Sequence, residues 1–562
     1  MYLKLTRARG RTYAQLVESF RDEHGQPRQR TVANVGRVDE TGGQVDALLK
    51  SLLRAKGLKS DDAAAPQVRF ETALSLGDVW VLDQLWRELG FDSLAAIFSR
   101  ARYTTAVEQA LRVMVFNRLC DADSKLGVLR WLKTVSVPGF KGPITHQHLL
   151  RSMDALIEHQ QAVDDRVAAL LRPLIDEDLS VVFYDLTTIR TEGASEPAGD
   201  VRRFGMAKSG LIEQQVLLGV VQTADGMPIH HEVFAGNVAE APTLKPTVQK
   251  ILARYPHIKR LIVVADRGLL SLDNLAELSA LQLPGQRPLE FILAVPGRRY
   301  GEFDGILGAL DAQLANAQAE TVVQARWQGL RLVVAHDPQG AAEQTALRSA
   351  RIKDLADRGA ALAEKIEAQE AGKVGRGRKL SDSGAKARFF HEVCESHLSR
   401  IIKVDLQSDL FAFEVDLDAQ RRAEAMDGKL LLVTNVEDLE PTEIVNRYKA
   451  LADIERGFRV LKSDIEIAPV FHWLPDRIRA HAALCFIALI LHRVMRQRLK
   501  LANSDLSPQA ALATVRPIQS HRVLIDDQPP ITGISAINAA QAAVFTALRI
   551  DKPSKDRQLS LL

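Results

Sequence analysis

Two aspartates and one glutamate stand out by their settings. Asp185 closes the apolar run LSVVFYD and is followed by Leu186-Thr187-Thr188; Asp266 closes KRLIVVAD and is followed by Arg267-Gly268. A carboxylate at the end of a buried strand is expensive without a partner, and the ends of core strands are where α/β domains place reactive groups. The alternative is that each aspartate caps the turn that follows it. Glu455 lies in NRYKALADIERGFRVLKSDI, residues 446–465, which reads as one helix with Gly457 as the only weak helix former. Tyr448, Glu455 and Lys462 are spaced by seven and share nearly one helical face. Ile454, Phe458 and Leu461 form an adjoining apolar stripe, and Arg447, Arg456 and Arg459 flank the row. Taken alone, this is equally the pattern of a surface helix with ion pairs three and four residues apart. Together, Asp185, Asp266 and Glu455 would form a three-carboxylate cage. Hard oxygen donors of this kind suit Mg²⁺. Two such ions about 3.5–4 Å apart can clamp the attacking and leaving oxygens of an in-line phosphoryl transfer. Composition alone does not assemble these three residues.

The elements that must position them differ in texture along the chain. Residues 1–66 form a basic N-terminal region: 1 to about 40 alternate like short strands, with a hairpin whose arms are Val17–Phe20 and Arg30–Val35 around HGQP; residues 44–60 look helical and DDAAAP reads as a linker. Arg7, Arg9, Arg11, Arg28 and Arg30 make this module basic, fit either to lie on a DNA backbone or to be a solvated face. Residues 67–178 read as a helical, DNA-binding domain, with helical periodicity almost throughout 73–180 and GFKGPIT (139–145) as a loop. Within them, Asn117-Arg118-Leu119 and Ser124-Lys125-Leu126 could touch DNA or simply cap and solvate helices. Residues 179–296 change to apolar, strand-rich segments: 179–189, a hairpin over 214–236 with an Asp-Gly turn, 259–271 and 291–296. Residues 297–427 read as an insertion of short strands, a charged helix and the basic loop KVGRGRK. The core resumes over 428–500, ending in a hydrophobic helix at 479–496; a C-terminal region, 501–562, has a polar tail after about 550. The pattern is a mixed α/β core with an antiparallel portion.

The chain has 562 residues, 46% hydrophobic and 25% charged, with a net charge of +3. These are the proportions of a soluble globular protein, and any nucleic-acid contact must come from local clusters. Cys120, Cys394 and Cys485 fit no zinc spacing or disulfide framework, which suggests a reducing, cytoplasmic setting. The N-terminus has no signal-peptide apolar region. The longest apolar run, Ala482 to Leu491, is too short to span a bilayer and reads as a buried helix. There is no glycine-rich phosphate loop.

The string YDLTT, the block GMPIHHEVFAGNVAEAPTL (226–244), VVADRGLLS and YKALADIERGFRVLKSDI resemble bacterial insertion-sequence transposases of the DDE type. The resemblance is to the IS-four-like superfamily, with its signature Y-x2-R-x3-E-x6-K. It extends to a long-chain subgroup through Tyr13–Ser19, Asn34–Arg37 and the NRL…SKL segment. It implies a ribonuclease-H-like mixed-sheet catalytic core, a β-rich and helical insertion domain, and an N-terminal helical DNA-binding region.

The resemblance also implies roles for residues. Asp185, Asp266 and Glu455 match the metal-binding carboxylates, for Mg²⁺ (Mn²⁺ substituting), with two ions. Tyr448 and Lys462 match the Tyr and Lys that contact DNA phosphates. Leu451 stands where the signature has Arg, which weakens that clamp or shifts it to Arg447, Lys449 or Arg459. Arg298, Arg299 and Tyr300 fall where related enzymes handle transposon-end bases; an exposed loop tyrosine with no role is the alternative. Asn237 and Glu240 would be structural. His230 and His231, adjacent on a strand, point to opposite faces and do not make one metal site. The expected partners are double-stranded DNA, both terminal inverted repeats and target, and a second copy of the chain when DNA is bound. One rival is a catalytically inactive or repurposed sequence-specific DNA-binding protein on the same fold; another is a plain structural protein. An aspartyl-phosphate phosphatase would need a second Asp where Thr187 stands.

Overall fold

The computed structural model describes residues 2–554, except 9–10, 23–25, 38–67, 100–102, 104, 176–180, 194–198, 207–211, 240, 256–259, 266–274, 276–279, 283–287, 315–317, 373–379 and 526–528. The expected helix at 44–60, the DDAAAP linker, Asp266, Glu240, the KVGRGRK loop and the tail from 555 lie outside the described residues.

Three antiparallel strands open the chain: β1 (Tyr2–Ala8), β2 (Arg11–Arg21) and β3 (Pro27–Arg37), in that order. The expected hairpin is β2–β3, with β1 added on its other side. β4 (Val68–Ser75) comes next, within the 67–178 region expected to be helical but mostly ahead of residue 73, where the helical periodicity begins. Helices α1 (Gly77–Glu88), α2 (Val107–Cys120), α3 (Lys125–Trp131), α4 (His146–Glu158) and α5 (Gln160–Leu171) follow. Their starts are set locally. Ser124 Oγ accepts the Gly127 amide at the head of α3, and Thr145 and His148 form a reciprocal capping box at the head of α4, each satisfying amides that a helix start leaves unpaired.

The large sheet is built from β5 (Val181–Arg190), β6 (Arg203–Met206), β7 (Ile212–Thr223), β8 (Pro228–Ala235), β9 (Ile262–Ala265), β10 (Glu290–Ala294), β11 (Thr321–Trp327), β12 (Leu330–His336) and β15 (Lys429–Thr434). Its order is β11-β12-β15-β10-β9-β5-β7-β6, with β8 also on β7. β5, β9 and β10 are parallel; β7 is antiparallel to β5, and β8 to β7. The β7–β8 hairpin turns at Asp225-Gly226, where Gly226 has φ of 82°, a conformation that favours glycine. Helix α6 (Leu244–Arg254) follows β8.

The stretch 297–427 divides in two. After α7 (Asp304–Leu314), β11 and β12 extend the main sheet through β15. Helices α8 (Pro338–Glu370) and α9 (Asp382–Glu395), strands β13 (Ile402–Val404) and β14 (Phe413–Val415), and helix α10 (Leu417–Met426) instead surround their own small core of Ile352, Leu355, Phe389, Val393 and Ile402.

The segment read as one helix, 446–465, is two: α11 (Pro441–Lys449) and α12 (Leu451–Ser463), meeting at Ala450. The Ala450 amide donates to the Asn446 carbonyl at 3.0 Å, closing the last turn of α11. Helix α13 (Pro475–Leu501) is long and apolar enough to cross a membrane by length and composition, and 94% of its most apolar window is buried inside the protein. It packs on α2, α4 and β8, as expected of a core helix. Helix α14 (Pro508–Val515), strands β16 (Gln519–Ile525) and β17 (Ile531–Ile534), and helix α15 (Ala539–Leu548) complete the chain. β16 pairs with β4 and β17, so the C-terminal region closes onto the strand before the helical unit.

The sheet separates two apolar layers. Val182, Tyr184 and Leu186 of β5, Val263 and Ala265 of β9, and Phe291 and Leu293 of β10 join the main core with the helices. Phe183, Ile262, Val264, Ile292 and Ala294 join a second core, covered by Ile444 and Val445 of α11 and Leu451 of α12.

Candidate active site

Asp185 is not at the end of its strand. It is the fifth of ten residues in β5, because antiparallel pairing with β7 carries the strand on to Arg190. What ends near Asp185 is the parallel partner: Tyr184 opposite Ala265 is the last pair between β5 and β9. Asp185 and Asp266 are therefore the next residues of two chains that have run side by side for four pairs. Side chains alternate along a strand, so Asp185, two residues beyond Phe183, falls on the face covered by α11 and the start of α12. It is half-buried, and its Oδ1 accepts the Leu186 amide at 2.7 Å. The neighbouring Tyr184 faces the other way and donates its hydroxyl to Thr243 Oγ1 at 2.8 Å.

Helix α12 carries Glu455 and packs against β5 and α13. The side chains of 452–456, Glu455 included, lie outside the described residues, as does Asp266. Gly457 fixes how closely this helix approaches the sheet: a Cβ there would stand 2.7 Å from Gln222 Nε2 and 2.9 Å from an Arg493 guanidinium nitrogen. The one weak helix former of the segment is thus the residue that lets α12 reach β7 and α13. Among the described residues no three His, Cys, Asp or Glu side chains converge as a metal site.

The expected DNA contacts separate into several settings. Tyr448 is half-buried against the second core, and Lys462 and Arg459 are exposed. Leu451, in the signature's Arg position, is 5% exposed and packed in that core with Phe183, Ile262 and Val264. Two of the three residues considered as substitutes for that Arg are engaged elsewhere: Arg447 pairs with Glu443 at 2.8 Å, and Lys449 pairs with Glu320. Tyr300 is not an exposed loop residue. It is 7% exposed, belongs to the main core, and its hydroxyl donates to the Lys429 carbonyl at 3.3 Å. Its ring is turned inward because residues 297–303 form a 3-10 turn against the sheet, so it does not offer a face to an unpaired base. Arg299 makes a two-pronged pair with Glu302, at 2.8 and 2.7 Å; the Arg298 side chain is outside the described residues.

The adjacent histidines are both buried, with ring centroids 6.5 Å apart. His230 meets an Arg254 guanidinium nitrogen at 2.6 Å through Nδ1, while His231 stacks on Phe486 of α13. Burial pushes the His231 imidazole down to about 3. Burial opposes the charged form of Glu232 beside them, but the paired Lys250 ammonium and the His230 ring 3.8 Å away outweigh it and hold the carboxyl at about 2. In the N-terminal sheet, Arg28 pairs with Asp22 at 3.0 Å, and Arg30 pairs with Glu18 at 2.7 Å and lies over the Phe20 ring. The side chains of Arg7, Arg9 and Arg11 lie outside the described residues.

Residues 3–64 match the family model described as IS1634 family transposase, N-terminal domain. The match supports an insertion-sequence transposase, and with it DNA transposition and DNA binding. It covers β1–β3 and the segment after them, not the large sheet. No curated protein matches the chain.

Two aromatic residues were not singled out by sequence reasoning. Phe471 and Trp473, in the loop after α12, are 71% and 53% exposed. The signal available was the string VFHWLP, two aromatics in a short connection between helices, where solvent exposure is the default.

Proposed function

We propose that this chain is a metal-dependent DNA transposase of the DDE type. It would cut phosphodiester bonds at the ends of its element and join the freed 3′-hydroxyl to target DNA. The observation that carries the reading is the placement of Asp185. It follows the last β5–β9 pair, on the face covered by α11 and α12, and the helix with Glu455 packs on its strand. The strand order β8-β7-β5-β9-β10, with an antiparallel meander beside parallel strands, supports a ribonuclease-H-like core. The N-terminal family match supports the same reading from an independent part of the chain.

The donor set fits a hard divalent cation, since Asp185, Asp266 and Glu455 offer carboxylate oxygens. Bound Mg²⁺ or Mn²⁺ would supply Lewis acidity to the attacking and leaving oxygens of an in-line displacement. The chain's own share is to hold Asp185 rigid, through β5 pairing and the Leu186 amide, and to bring α12 close through Gly457. Lys462 and Arg459 would neutralise DNA phosphates, making binding salt-sensitive. Two ends must be held together, so two copies on DNA, acting in the bacterial cytoplasm, belong to this reading.

The test uses the full chain and labelled duplexes carrying the ends of the flanking element. We expect nicking that needs Mg²⁺, is abolished by EDTA, and is lost in Asp185→Asn and Glu455→Gln while duplex binding persists. Binding without nicking under any divalent metal would instead favour a repurposed DNA-binding protein.

A further inference from the structure

A cleft of about 490 Å³ lies between the helical unit and the segment that follows α12. Lys125 lines it and is only 6% exposed, and among the described residues no carboxylate pairs with it. Burying an ammonium without a counter-charge is costly, and a site for an anion from outside removes that cost. Burial, with the Arg118 guanidinium nearby, pushes the Lys125 ammonium down to about 7. Among the described residues Arg118 bonds only neutral acceptors, the carbonyls of Asp123, Ile465 and Glu466, so its charge also remains available to the cleft. Arg477 adds its charge to the cleft, and Asp123 and Glu466 oppose it; His472, held down at about 3 by burial, and His481, which burial pushes well below its ordinary value, line it as neutral rings. Arg477 and Asp123 are already paired, with Asp154 and Arg130.

The other wall carries Phe471 and Trp473, exposed by 71% and 53%, and Leu126 of α3, 54% exposed, lines the same cleft. This wall is continuous with the candidate catalytic strand. The Val470 amide donates to the Arg190 carbonyl at 3.0 Å, and the Glu192 amide to the Val470 carbonyl at 2.9 Å. Arg190 is five residues beyond Asp185 on β5, about 17 Å at roughly 3.3 Å per residue.

We infer that this cleft is a single-stranded DNA subsite, with a backbone phosphate at Lys125 and Arg118 and an unpaired base stacked on Phe471 and Trp473. It rests on the transposase reading and extends it, naming where a strand runs once it has left the duplex near Asp185. Positive groups that track a backbone beside aromatic faces are the general means of holding unpaired strands.

The experiment titrates the full-length chain with twelve-residue oligodeoxythymidylate in EDTA, following tryptophan fluorescence and the anisotropy of a labelled strand. We expect quenching that disappears in Trp473→Phe. Affinity should fall tenfold or more in the Phe471→Ala/Trp473→Ala double variant, as expected for lost base stacking. Lys125→Met should weaken binding and reduce the salt slope by about 0.7, one single-strand phosphate contact. Phe471 and Trp473 are exposed, so their removal leaves the core intact. Unchanged affinity in the double variant, or quenching that survives Trp473→Phe, overturns the inference. So does a duplex of the same length that competes as well as the single strand. If metal-dependent nicking fails while these variants still weaken oligonucleotide binding, the transposase reading fails and the subsite stands. If nicking works and the variants bind normally, the subsite alone fails.

Discussion

Gly457 of α12 lies so close to Gln222 of β7 that a Cβ would stand 2.7 Å from the Gln222 amide nitrogen. Gln222 is fully buried and Arg493, the next neighbour, is 5% exposed, and the ends of both side chains must swing aside within the interior to admit a methyl group. Gly457→Ala improves helix propensity by about 1 kcal/mol, yet overpacking of a filled site costs about 1–3 kcal/mol. We expect a lower urea midpoint and a larger loss of nicking than of DNA binding, because Glu455 sits two residues earlier. A midpoint at or above wild type would show that α12 can shift freely.

Leu451 occupies the place of the signature's arginine, and Leu451→Arg would restore that motif on paper. The residue is 5% exposed among Phe183, Ile262 and Val264. An unpaired guanidinium there is expected to cost about 3 kcal/mol or more. Chemical denaturation should show that loss, with no gain in affinity for DNA. A stable variant that binds DNA more tightly would mean that the side chain reaches solvent.

Tyr300 divides into a ring and a hydroxyl. Tyr300→Phe removes the 3.3 Å hydrogen bond to the Lys429 carbonyl and should cost less stability than loss of the ring, with DNA affinity unchanged. Tyr300→Ala should cost about 3–5 kcal/mol through the cavity it leaves. A loss of DNA affinity in the phenylalanine variant would contradict the inward placement.

Two histidines predict the acid limb of stability. His231 is held at about 3 by burial and a neighbouring His230, and His492 at about 4 by burial and Arg493. Between these values and about 6.5, their unfolded pKa, the unfolded chain binds protons that the folded chain refuses. Stability therefore rises with pH across this window and falls on acidification below about 6.5. Each group contributes up to about 1.4 kcal/mol per pH unit. Urea midpoints at pH 7.5, 6 and 5 should show the slope, and His231→Phe, which can keep the stack on Phe486, should flatten it. An unaltered slope in that variant would remove His231 as a cause.

Much of this arrangement was legible where apolar runs speak for themselves. The strand holding Asp185, the β7–β8 hairpin with its Asp-Gly turn and the buried helix around Ala482–Leu491 all follow from local pattern. Asp185 in mid-strand was not legible, because the length of β5 is set by β7, a partner whose register no local pattern reveals. α11 gives way to α12 at Ala450 without a breaker residue, so composition cannot report the junction. Tyr300 read as exposed because it follows an apolar strand, whereas the short 3-10 turn folds it back beneath the sheet. β11 and β12 read as part of an insertion because their neighbour β15 lies far along the sequence.

The union of β4 with β16 bears on how the protein is made. The Ser75 hydroxyl donates to the Arg516 carbonyl, 441 residues farther along the chain. At roughly 5–20 residues per second, a ribosome needs about 20–90 seconds to bridge that interval. Until then β4, bridged at Ser75 to Val135, lacks β16, its one strand partner among the described residues, and α1–α5 wait beside an unfinished seam. A nascent chain stalled before β16 would present that open edge to the cell, a natural target for chaperones and a hazard for strand-to-strand association. Its last hundred residues would decide whether the first hundred are safe.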